Sequence, residues 1–157
     1  MALIVNKEKK MRLKFQKKGF TLVEVMIVVA IIGLLAAIAI PNLLRARVNA
    51  NDGSVRGDLR AVSTALESYR AAQSPPAYPT GIGSLTGATP PYLDSSWADT
   101  STKHGHTLDY STSTAGYTVT AGSQTGSSAS DFCIDHTGVL RTASTTANST
   151  CSGTAVS

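Results

Sequence analysis

A chain of 157 residues with 14 Lys and Arg against 10 Asp and Glu carries a formal charge of +4, but the basicity is not evenly spread. Residues 1–19 hold seven of the basic residues and a single acid, Glu8, whereas the rest of the chain is net −2. The length leaves room for one membrane segment and one modest soluble domain, and a nucleic-acid-binding reading of that domain loses its main support because the basic surplus is confined to the leader.

The leader (Lys7, Lys9, Lys10, Arg12, Lys14, Lys17, Lys18) reads as cytoplasmic by the positive-inside rule. Residues 20–40 follow, 21 residues of which only Glu24 is charged. About 20 apolar residues cross a bilayer as a helix, so 20–41 reads as a transmembrane helix. The run exceeds the roughly 7–15 apolar residues of a secretory signal. Pro41-Asn42-Leu43-Leu44-Arg45 also offers no Ala-x-Ala-like cleavage site, so the span reads as retained. Glu24 is the anomaly: a carboxylate in such a span costs about 2.5–3.5 kcal/mol on insertion scales and calls for a partner.

Pro41 removes a backbone donor and crowds the preceding turn, which predicts a helix kink or a loosened stretch over 37–41. Beyond it, Leu44, Val48, Val55, Leu59, Val62, Leu66 and Tyr69 recur mostly in steps of three and four, with Asp52 as the polar interruption. This spacing predicts an amphipathic helix over 42–73. Asp52 and Arg56 are placed for a weak i,i+4 pair. Gly53 and Gly57 weaken the helix locally, and Ser74-Pro75-Pro76 ends it.

Residues 74–157 change to a Ser-, Thr-, Gly- and Pro-rich composition, with 74–91 reading as a connecting loop. His106, Leu108 and Tyr110 alternate with polar residues, as do Tyr117, Val119 and Ala121, with a turn over 111–116 between them. Phe132-Cys133-Ile134 and Val139-Leu140 flank a hairpin turn, Asp135-His136-Thr137-Gly138, with glycine at a positive-φ position. Three or four short antiparallel strands need a cover for their apolar face, and the helix stripe supplies it. The fold class is therefore α+β, a long N-terminal helix packed on a small antiparallel sheet. The segments 122–130 and 142–157 are poor in large apolar residues and read as exposed loops.

Cys133 and Cys151 are the only cysteines. If the head lies outside the inner membrane, they are expected to form a disulfide worth about 3 kcal/mol of loop entropy. His104 and His106, two apart, would share a strand face, but only Asp109 is at hand as a further ligand, so no metal site is read here. Cys133, Asp135 and His136 match no nucleophilic arrangement, and a disulfide would consume the thiol. Tyr69, Tyr78, Tyr92, Tyr110 and Tyr117 read as core and loop aromatics. No cofactor is implied.

Gly19-Phe20-Thr21-Leu22-Val23-Glu24, with basic residues before it and an apolar helix and Pro41 after it, resembles the N-terminal cleavage and methylation signature of type IV pilins and type II secretion pseudopilins. The resemblance spans about residues 14–48 and is architectural beyond them. It implies that prepilin peptidase cuts the Gly19–Phe20 bond and methylates the new amine of Phe20. It also implies that Glu24 pairs with the Phe20 amine of a neighbouring subunit, fixing axial register. Gly33, Ala36, Ala37 and Ala39 would let the filament-core helices approach closely.

Two features depart from the family. A leader of 19 residues is long, and a start at Met11 would leave the nine-residue leader MRLKFQKKG. Ser95-Ser96-Trp97-Ala98-Asp99 breaks the Asp-Pro-Trp-Gly box typical of the major secretion pseudopilin, so calcium is not implied. The stretch between Cys133 and Cys151 resembles instead the disulfide-bounded C-terminal region of type IV pilins.

The resemblance implies a structural subunit, not an enzyme, that forms a helical homo-oligomeric filament. Its partners would be the peptidase, an assembly platform and, for the precursor, the inner membrane with the N-terminus cytoplasmic. The assembled form would lie at the cell surface. A pseudopilin or minor pilin is the nearest alternative, and a single-pass anchored binding module is a further one.

Overall fold

The computed structural model describes residues 19–114, 116–124, 130–143 and 151–156. The leader up to residue 18, the Met11 start and the middle parts of the two Ser/Thr-rich segments lie outside the described residues. The chain divides into two compact units, one ending at Ile40 and one running from Pro41 to Ser157.

In the first unit the long helix α1 (Leu22–Ala72) begins. It starts two residues later than the apolar run, because Thr21 caps it rather than joining it. Every described side chain of this unit is exposed except the half-buried Ala36. Its large apolar residues are 52–89% exposed, from Val25 to Phe20. So large and contiguous an apolar surface marks a segment made for lipid or for other helices. Among the described residues, α1 is long and apolar enough to cross a membrane. Pro41 lies inside α1, where it has no N–H to offer the Ala37 carbonyl.

The second unit holds the remainder of α1, a four-residue helix α2 (Gly83–Thr86) and five strands: β1 (Thr100–Lys103), β2 (His106–Ser113), β3 (Gly116–Ser123), β4 (Asp131–Asp135) and β5 (Leu140–Ala143). The strands form one antiparallel meander in the order β1-β2-β3-β4-β5. Their register aligns apolar residues across the sheet. Leu108 faces Ala121 and Ala121 faces Phe132; Tyr110 faces Val119, Val119 faces Ile134, and Ile134 faces Leu140. Side chains at every second position share a face, so these rows make one apolar surface.

Val55, Leu59, Val62, Ala65 and Leu66 of α1 cover that surface, together with Ile82 and Leu85. Leu59 and Leu66 are wholly buried, each four residues after a buried valine, Val55 and Val62 in turn. The stripe narrows toward the first unit, for Leu44 is 57% exposed. Two hydroxyls inside the contact satisfy one another, Ser63 Oγ and Tyr117 Oη at 2.7 Å.

Several local expectations change. β1 has no alternating large apolar residues and escapes a pattern search; it is a polar edge strand held by backbone pairing and by the Thr100 hydroxyl on Asp109 Oδ1 (2.7 Å). The turn over 111–116 is tighter than its length suggests, since β2 runs to Ser113 and pairs Ser113 with Gly116. Residues 142–157 are not simply exposed loop in their described part. Thr142 N donates to Thr154 O (3.0 Å), Val156 N donates to Leu140 O (2.8 Å), and Val156 packs on the core. The Cys133–Cys151 disulfide ties this tail to β4 with Cα atoms 5.6 Å apart. The hairpin between β4 and β5 has Gly138 at φ 72°, and its N–H donates to Asp135 O.

Tyr78 is the most perturbed tyrosine. Burial, and then its hydrogen bond to Glu67 Oε1 (2.7 Å), push its hydroxyl up to about 12. Burial also raises Tyr110 and Tyr117. A raised acid favours the neutral form in the folded chain. The stability this contributes is complete below the ordinary tyrosine value of about 10 and is lost as pH climbs toward 12. An alkaline titration followed by tyrosinate absorbance should therefore show delayed ionisation, with head unfolding beginning as Tyr78 ionises. In denaturant titrations, Leu59→Ala should cost about 2–5 kcal/mol, whereas Leu44→Ala should stay within about 0.5 kcal/mol.

Candidate functional site

The candidate site is the first turn of α1, where the one charge of the apolar span sits. Thr21 N–H donates to Glu24 Oε2 at 2.7 Å, and the Thr21 hydroxyl donates to the same oxygen at 2.8 Å. Glu24 N–H approaches Thr21 Oγ1 at 3.2 Å. This is a reciprocal capping box, in which a Thr side chain takes one orphan amide of the helix start and a Glu three residues on takes another. The carboxylate also lies at the positive end of the helix dipole. Glu24 thus has a partner in its own chain, and among the described residues its Oε1 takes no hydrogen bond.

Gly19 and Phe20 precede this turn outside any regular element. A side chain at Gly19 would meet nothing within 4 Å among the described residues, and Phe20 is 89% exposed. Gly33 also faces open space within this unit. Thr21 is the capping residue that hydropathy reading overlooked. The Thr-x-x-Glu spacing directly before an apolar run was the signal that could have found it.

The other residues weighed for chemistry have structural work. Cys133 is bonded to Cys151. Asp135 Oδ1 accepts from Thr137 N (2.9 Å) and from the Thr137 hydroxyl, and the His136 ring packs on the Gly116 backbone. His104 and His106 do not share a strand face: His104 sits in the turn before β2 at φ 51°, whereas His106 opens β2 and is 1% exposed. Asp109 is bound to Thr100 instead of to them. In the 94–99 segment, Asp99 Oδ1 accepts the Ile82 N–H (2.5 Å) and Lys103 lies 4.4 Å from the Trp97 ring centre. The anticipated Asp52–Arg56 carboxylate pair is not formed, because Arg56 Nε donates to the Asp52 backbone carbonyl (3.2 Å).

Comparison with known proteins bears on the same N-terminal stretch. Residues 14–40 match the prokaryotic N-terminal methylation motif. The chain is 48% identical over 54 residues to the type IV major pilin protein PilA of Myxococcus xanthus, covering 34% of this chain and 24% of that protein. It is 53% identical over 53 residues to the type IV wide pilus major component PilA4 of Thermus thermophilus, covering 34% and 40%. It is also 40% identical over 55 residues to the type II secretion system core protein G of Pseudomonas aeruginosa, covering 35% and 39%. The matched stretch thus spans less than half of each of these three relatives. No solved structure matches the chain.

Thr21→Ala removes one side of the capping box. It should loosen the helix start by about 0.5–2 kcal/mol, read as faster amide exchange over residues 22–25 of the detergent-solubilised chain, with the head unchanged.

Proposed function

For a chain that carries the N-terminal segment of the pilin and pseudopilin family, we propose the role of a structural subunit of a type IV pilus, made as a precursor and assembled through α1. The observation that carries this reading is the exposed apolar helix of the first unit with a single carboxylate in its first turn. Prepilin peptidase cuts Gly19–Phe20 and methylates Phe20. The precursor spans the inner membrane with its leader in the cytoplasm, and an assembly platform moves the mature subunit into a surface filament. No step in this role requires catalysis by the chain.

Cutting at Gly19 frees a positive amine one residue before the capping box. Glu24 Oε1 is left to receive the corresponding amine of a neighbouring subunit. In a core without water, neither charge is tolerable alone, and pairing offsets both desolvation costs. The surrounding apolar residues supply adhesion without direction, so the ion pair sets the axial register. Pro41 loosens α1 during packing, by withholding one backbone donor.

The relatives named as pilus components favour the pilus reading, and the disulfide that closes the C-terminal part of the head agrees with it. The core protein G relatives favour a secretion pseudopilin. Subunit abundance in purified fibres separates the two.

Glu24→Leu leaves the neighbour's amine unpaired. With about 3–5 kcal/mol lost per buried pair, fibre yield should fall by at least about a hundredfold, while cleavage at Gly19 continues. Wild-type yield of fibres from this variant would contradict the register role of Glu24, whereas the anchored binding module predicts a chain that forms no fibres and functions unchanged with Glu24→Leu.

A further inference from the structure

In the second unit, two aspartates of α1 hold carboxylate oxygens that are buried without a hydrogen-bond donor. Asp52 is 7% exposed. Its Oδ2 accepts the Ser130 N–H at 3.4 Å, but its Oδ1 faces only His106 Nε2, at 3.6 Å. Asp58 repeats the arrangement, with its Oδ2 3.5 Å from His104 Nε2. The two histidines flank Gly105 in the turn that joins β1 to β2, where His104 has φ 51° and Gly105 φ 76°. The tip of this hairpin is therefore seated on the helix through two Asp–His contacts.

The His106 ring has a second distinguishing feature. Nδ1 lies 3.2 Å from the His104 carbonyl oxygen, and Nε2 lies 3.0 Å from the Ser130 carbonyl oxygen. Carbonyl oxygens only accept, so both nitrogens must donate for both bonds to exist. Only the imidazolium form carries two N–H groups. Asp52 Oδ1 favours the same form. With a neutral ring, one carbonyl bond is lost and a buried carboxylate oxygen faces no positive charge.

The other charged groups nearby are otherwise engaged. Arg56 binds the Asp52 backbone carbonyl and lies over Phe132, whose ring is 6.2 Å from that of His106. Asp131 Oδ1 accepts the Ser123 N–H from β3, and Lys103 is turned to Ser96 and Trp97.

The geometry points to a pH-sensitive clasp, in which His104 and His106 hold the β1–β2 hairpin tip and the Ser130 end of β4 on Asp58 and Asp52 of α1. The clasp is closed while the rings are imidazolium and opens as they become neutral. Sheet rows built on Val119 and Ile134 do not depend on it, so opening is local. The hairpin tip is thus the part of the head that responds to the acidity of its surroundings.

Amide hydrogen exchange of the full chain in detergent, corrected for intrinsic rates, tests this across the range of about pH 5–8 over which histidine side chains serve as charge switches. On passing from pH about 5.5 to about 8, protection over residues 103–108 and 130–133 should fall by about tenfold or more, with 117–121 unchanged. Asp52→Asn and His106→Gln should each remove most of that response. Asp58→Asn, at the more open pair, should reduce it over 103–105 alone and serves if the buried variants do not fold. Equal protection of the wild-type chain at both pH values would overturn the clasp, and so would an undiminished response in any folded variant.

Discussion

A carboxylate inside an apolar helix is the constraint from which the rest of this molecule follows. Glu24 cannot lie bare in hydrocarbon, and the chain answers with the nearest donors it has, the amide and hydroxyl of Thr21. Both bind the same oxygen and leave the other unbonded among the described residues. A single cap thus makes the span tolerable as an isolated helix while preserving capacity for a stronger partner. In the proposed assembly that partner arrives only after cleavage, since the amine of Phe20 does not exist before it. Anchor and polymerisation surface are then one segment at two stages of processing.

The same helix meets two different solvents along its length. Residues 25–40 are apolar on every side and, among the described residues, exposed apart from the half-buried Ala36. From Val55 to Leu66 only one stripe is apolar, and that stripe is spent on the sheet. A five-stranded meander has an inner face to cover and two edges to protect. The helix covers the face, and the tail over 153–156 pairs along β5, held there by the disulfide. At the other edge, the tip of the β1–β2 hairpin meets the helix through polar contacts, Asp58 with His104 and Asp52 with His106, while Leu108 farther along β2 joins the core.

Much of this was legible in the residues because the relevant signals are periodic or rare. Val55, Leu59, Val62 and Leu66 announce a helix face, and Leu108, Val119 and Ile134 announce strands facing it. Thr100 to Lys103 could not be read, since an edge strand of small polar residues is defined by backbone pairing with β2 and carries no pattern of its own. Asp52 was read as a local partner for Arg56, yet its carboxylate turns to His106 and Ser130, 54 and 78 residues away in sequence. Long-range polar contacts of this kind leave no periodic trace. Thr21 is the opposite case: its Thr-x-x-Glu spacing was present in the chain, but the hydropathy of the run drew attention away from it.

The central claim is that this chain is processed at Gly19 so that its first helix can assemble. Mass spectrometry of the subunit recovered from sheared, purified fibres tests it most directly. The account predicts a mature chain that begins at Phe20, carries one methyl group on its amine and retains the Cys133–Cys151 disulfide. A fibre subunit that still begins at Met1 or Met11 would contradict it.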